Sequence, residues 1–202
     1  PYTTAENDFQ KMVIEVQDNW RWGLSTNMEL DDFCRVIKEA VKAGYPVLWA
    51  SDVSEAGFSR KGVATYDDEK VAESTVSSDQ VRLIGVDAPK EEAQDAEKEV
   101  TPKAQKIVTA TERQAMYDGK KTTDDHGMLI FGIANDQWGN EYFMVKNSWG
   151  DKSGNYNGIY YVTPAFVRAK TMNIAVNKAA IADDIKVKYG IAAPAQGKKG
   201  KK

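Results

Sequence analysis

Two apolar runs joined by a six-residue polar turn limit what this chain can fold into more than any other stretch. Met128 to Ala134 and Glu141 to Asn147 flank Asn135-Asp136-Gln137-Trp138-Gly139-Asn140. Turn formers between two such runs predict a pair of antiparallel strands. Gly158 to Val162 predicts a third strand and Met172 to Val176 a last one, with Thr163-Pro164 opening a helix between them as a cap followed by proline. Upstream, Lys11 to Trp22 alternates loosely and reads as a strand. Asn27 is placed to cap a helix running to about Ala43, with Glu29, Asp31 and Asp32 in its first turn. Phe33, Ile37, Ala40 and Val41 recur at helical spacing and Gly44 sits at the stop. Pro46 to Ala50 predicts a short buried strand, and Thr111 the cap of a short helix, Glu112 to Tyr117, ended by Gly119. Several antiparallel strands with a few helices and no internal repeat predict an α+β, barrel-like domain.

Composition excludes several classes of function. The 27 Lys and Arg nearly balance the 30 Asp and Glu, so no bulk positive charge is available to hold nucleic acid. With 42% hydrophobic and 28% charged residues the chain is globular in character, and its longest apolar runs fall far short of a membrane span. A single cysteine forbids an internal disulfide, and a single histidine leaves little for metal chemistry. The 202 residues suffice for one ordinary domain or most of a larger one. They open Pro1-Tyr2-Thr3-Thr4 without an initiator Met or a signal-like region, which reads as a start inside something longer.

Charge is unevenly spread. Between Asp67 and Glu99 eleven acids meet four bases, with one strand-like island at Val81 to Val86. Residues from about 55 to 110 therefore read as a solvated, insertion-like excursion. From Lys186 onward there are six Lys and no acid, and the Lys-rich end, 192–202, reads as a flexible tail.

The candidate chemistry lies in two short motifs. The only histidine sits in Asp124-Asp125-His126-Gly127-Met128 at the start of one strand, and the next strand ends Lys146-Asn147-Ser148-Trp149-Gly150. Together with the later Gly158-Ile159-Tyr160-Tyr161, these stretches resemble the C-terminal half of a papain-like cysteine peptidase. Asp18-Asn19-Trp20, Gly44 to Trp49, Ser51-Asp52-Val53-Ser54 and Thr111 to Ala115 are similar to the bleomycin hydrolase and aminopeptidase C branch. The likeness runs from about Asp18 to Ile191, with Phe58 to Thr101 poorly matched.

The resemblance implies a papain-like α+β fold, mainly its antiparallel barrel-like half with flanking helices, over residues 1–191. It also implies a thiol protease of the aminopeptidase kind, hydrolysing N-terminal residues from peptides by Cys–His–Asn catalysis. His126 would exchange a proton with the thiol, Asn147 would orient the imidazole, and Trp149 would cover their hydrogen bond or simply pack. Implied partners are a peptide substrate, a Cys-bearing N-terminal half of the same protein, and further copies in a homohexamer. No nucleic acid, membrane, cofactor or metal is implied, and a cytoplasmic location follows from the family alone.

The nucleophile is what the sequence lacks. Cys34, the only cysteine, lies inside an amphipathic helix without the helix-start setting that activates a thiol, so it reads as a packing residue. No Gly-x-Ser-x-Gly elbow substitutes for it. Asp151 to Gly158 superficially suggests a calcium loop, but its glycines are misplaced and no closing Glu follows. The chain is therefore expected to supply His and Asn only and to be inactive alone. The alternative is a peptidase-fold binding or assembly module without a nucleophile.

Overall fold

A computed structural model describes residues 11–14, 19–55, 57–66 and 105–191. Along them run β1 (Lys11–Val13), β2 (Leu24–Thr26), α1 (Leu30–Lys42), β3 (Val47–Ser51), β4 (Phe58–Ser59), β5 (Val63–Ala64), α2 (Ala110–Asp118), β6 (His126–Asn135), β7 (Glu141–Lys146), β8 (Ile159–Val162), α3 (Pro164–Lys170), β9 (Thr171–Ala175), a 3-10 turn (Lys178–Ala180) and α4 (Asp183–Lys188).

The β6–β7 hairpin forms around the turn that the sequence marks. The Asp136 carboxylate accepts from the Trp138 and Asn140 amides at 2.9 and 2.8 Å and from the Asn140 side chain, closing the loop on itself. Seven strands then pair in the order β4-β5-β8-β7-β6-β3-β9, antiparallel except where β5 runs parallel to β8. A bulge between Ile130 and Gly132 breaks the β6–β7 register. A Cβ at Gly132 would stand 3.0 Å from Met144 Sδ, so a larger residue there would press the methionine side chain aside.

One face of this sheet carries the core. Val47 and Trp49 of β3, Met128 and Ile130 of β6, Phe143 and Val145 of β7, and Tyr160 and Val162 of β8 are buried against Phe166 and Val167 of α3 and Ile37 and Ala40 of α1. The Trp49 indole N–H is satisfied in this setting by Thr171 Oγ1 at 2.7 Å. Lys170, only 1% exposed, pairs its ammonium with Glu55 and donates to the Lys121 carbonyl at 2.8 Å.

Several sequence expectations are corrected. The single strand over Lys11 to Trp22 is instead β1 and β2 around a turn, paired Lys11 to Thr26, with residues 15–18 outside the described set. Asn27 is buried and does not cap α1, whose N-cap position is Glu29 with no side-chain cap bond. Its stop is as read, with Gly44 at φ +83°. Thr109, not Thr111, caps α2 in a capping box with Glu112, because Thr-x-x-Glu starts two residues earlier than the reading placed it. β3 alternates and leaves Leu48 55% exposed, so it is half-buried. The excursion is narrower than 55–110: Phe58, Ala64 and Val108 are buried, and β4 and β5 extend the main sheet. The Val81–Val86 island and the 192–202 tail lie outside the described residues. Lys186 and Lys188, read with the tail, belong to α4, where they pair with Asp183 and with Glu29 and Asp32.

Replacing Lys170 with Met should leave the Glu55 carboxylate half-buried without its cation. The expected loss is about 3 kcal/mol of stability, read as a lower urea midpoint.

Candidate active site

The β6–β7 register decides which residues meet at the sheet's end. Leu129 stands opposite Lys146, so the start of β6 and the exit of β7 share one edge. His126 begins β6, opposite Ser51 of β3, and Asn147 follows β7 directly. Their side chains join there, with His126 Nε2 at 2.8 Å from Asn147 Oδ1. The same oxygen accepts the Ser148 amide at 2.7 Å. The Ser148 amide can only donate, which marks this atom as the carbonyl oxygen, so Nε2 faces it as the donor and Nδ1 is left as the ring's other nitrogen. Asn147 is 2% exposed, and its Nδ2 has no hydrogen-bond partner among the described residues. Among these residues the amide is held through its oxygen.

The loop from Asn147 back to β8 depends on glycine. Gly158 sits at φ +76°, and a Cβ there would lie 2.5 Å from the Gly150 carbonyl oxygen. Its own carbonyl accepts the Asn147 amide at 3.2 Å, fixing the asparagine backbone.

Trp149 lies against the histidine, its ring centroid 5.0 Å from that of His126 at an interplanar angle of 36°. It is 44% exposed, so it is not a core residue. Phe58 and Tyr160 meet it edge-on at 6.1 and 6.0 Å and stack on each other at 5.0 Å. Phe58 is not marked by the sequence, because it falls in the stretch that reads as an insertion-like excursion. The small cluster Gly57-Phe58-Ser59 before Val63-Ala64 was the available signal for strands there.

A second group that reading left without a role lies behind the histidine. Asp125 accepts the Val53 and Ser54 amides at 2.9 and 3.2 Å, and Asp52 accepts Ser54 and Thr123 at 3.1 and 2.9 Å. Burial, with Glu55 and Asp125 nearby, pushes the Asp52 carboxyl up to about 7.

Cys34 is elsewhere. It lies on α1, and burial pushes its thiol up to about 11, with Arg168 and Asp31 as its charged neighbours. Among the described residues no group of three His, Cys, Asp or Glu could hold a metal ion.

This fold is that of the papain-like cysteine peptidases. Residues 98–195 match the sequence profile of the Peptidase C1-like family. PepW from Lactobacillus rhamnosis HN001 is a similar structure, at 16% identity and a TM-score of 0.57, over 94% of this chain and 36% of that one. The chain therefore spans about a third of the PepW chain. Procathepsin L2 from Tenebrio molitor aligns at 17% identity and TM-score 0.36, over 74% of this chain and 31% of that one. Bromelain from Ananas comosus aligns at 14% and 0.38, over 72% and 46%. No curated protein sequence matches this one.

At pH 8 only about one Cys34 in a thousand should be thiolate, given an unperturbed thiol near 8.5 raised to about 11. Alkylation by iodoacetamide should be correspondingly slow in the folded chain and reach ordinary thiol rates in denaturant.

Proposed function

We propose that this chain supplies the histidine and asparagine of a Cys–His–Asn aminopeptidase of the bleomycin hydrolase kind. The observation that carries the reading is the 2.8 Å His126–Asn147 hydrogen bond under Trp149. Its polarity suits the chemistry. With Nε2–H held by Asn147, Nδ1 is left to take a proton from a thiol, yielding a thiolate–imidazolium pair. An amide orients the ring without adding charge that would bias the pair. The half-exposed Trp149 limits water around the bond.

In this scheme the thiolate adds to the carbonyl carbon of the first peptide bond. The C–N bond then breaks, with the leaving amine taking the proton from His126. Water next attacks the thioester, losing a proton to His126, and releases the N-terminal residue with the thiol restored. Cys34 does not serve as the nucleophile, since it lies half-buried on α1 and its thiol is pushed up to about 11. The thiol is assigned to a segment of the same protein outside these residues, and the working form to a homo-oligomer, a hexamer by family likeness, acting on peptides.

The test compares two preparations. The 202-residue chain alone should leave an aminoacyl fluorogenic substrate unhydrolysed. The native protein from its source should take an active-site thiol label on a residue absent from this sequence. Turnover by this chain that survives Cys34→Ala and is lost with His126→Ala would sink the scheme. A native protein that takes no label would favour the second reading, a peptidase-fold binding module, which the absence of a thiol other than Cys34 in these residues supports.

A further inference from the structure

His126 is reached through a short irregular segment, and that segment is held to β3 by carboxylates. Asp52, the residue after β3, is 2% exposed and points its two oxygens in different directions. Oδ1 accepts the Ser54 amide within its own turn, and Oδ2 accepts the Thr123 amide 71 residues away. Asp125, directly before His126, reaches back the opposite way and accepts the Val53 and Ser54 amides. The Ser54 N–H is thus shared between Asp52 and Asp125, which brings two carboxylates to one donor.

The charge around this point is unbalanced. Glu55 approaches from the same turn, Asp125 from the segment before β6, and Lys170 from the end of α3. Among these groups, three carboxylates face one ammonium, and that ammonium is paired with Glu55. In a buried setting such a group lowers its energy by holding a proton, because desolvation and like charge both disfavour the last ionisation. Ionised, Asp52 offers full acceptors to both amides. Protonated, it keeps one strong acceptor, and the other oxygen becomes a hydroxyl that can donate to a neighbouring carboxylate. The tie to Thr123, three residues before His126, is therefore different in the two states.

We propose that Asp52 is a positioning residue for His126, a proton-linked latch that tightens or loosens the Thr123–His126 approach. It touches no reacting atom and acts through the Thr123 amide and Asp125. This deepens the peptidase reading, since the group it places is the proposed proton carrier, but its test needs no turnover.

A stability consequence follows from the direction of the shift. The folded carboxyl at about 7 keeps a proton that the unfolded one, at 3.8, has lost. Stability from this group is full below 3.8, declines as pH rises to about 7, and is level above.

The chain has one histidine, so its ring resonances are assigned without ambiguity. Amide spectra recorded from about pH 5 to about pH 8.5 should show the Ser54 and Thr123 amide protons moving together with a midpoint near 7. Across that midpoint the NOE between the His126 and Trp149 rings, whose centroids lie 5.0 Å apart, should step to a different intensity. Asp52→Asn should remove the shared amide midpoint and the NOE step. Ser54 and Thr123 amide protons that show no inflection near 7 within this range would overturn the proposal. So would a shared midpoint with an unchanging ring NOE, which would leave Asp52 a structural residue only. If Asp52→Asn fails to fold, the wild-type titration alone decides. Loss of the peptidase reading would leave these spectra as they are, and a null titration would leave that reading standing.

Discussion

The pairing of β6 with β7 is the interaction on which the rest depends. It sets Leu129 against Lys146 and so brings the start of one strand and the exit of the next to a single edge. His126 and Asn147 meet because of that register. A slip of β6 by one residue would turn its faces over, burying Leu129 and Phe131 and exposing Met128 and Ile130. The hydrophobic cost of such a slip far exceeds the net value of one side-chain hydrogen bond. Core packing therefore holds the site in place, and the His–Asn bond refines a geometry already imposed.

Around that pair the structure uses three kinds of support. Aromatic rings from β4 and β8 stand under Trp149 and fix the lid from the core side. Glycine at 158 lets the loop close tightly enough for the Asn147 backbone to be held. Carboxylates at 52 and 125 gather the loose backbone N–H groups where β3 ends, groups that would otherwise be left without ladder partners. The first of these is apolar, the second steric and the third electrostatic, so the surroundings of one imidazole draw on every main force in the fold.

What the sequence disclosed follows from how local each feature is. The hairpin, the Thr163-Pro164 start of α3 and the Gly44 stop are set by neighbours in the chain, and each formed as read. His126, Asn147 and Trp149 were marked by contiguous motifs, and the structure brings all three together. Phe58 and Asp52 were not assigned roles, because theirs arise from partners far along the chain. Nothing beside Phe58 in sequence announces Trp149, and nothing beside Asp52 announces Thr123. Acidic composition downstream also drew residues 55–66 into a region read as solvated, although two short strands there complete the sheet. Asn27 and Thr111 failed as caps for a smaller reason. Both are good cap types lying two positions from the true helix starts.

The distances along the chain carry one more consequence, for the order in which the fold can assemble. His126 and Asn147 are 21 residues apart within a hairpin, whereas Asp125 reaches Val53 across 72. Closing the short loop costs less chain entropy than closing the long one, and non-local pairings form later and more slowly. The imidazole and its amide can thus find each other early, while the ring's surroundings wait for β3 to dock. A refolding experiment that watched only the hairpin would record a finished site before the site had its walls.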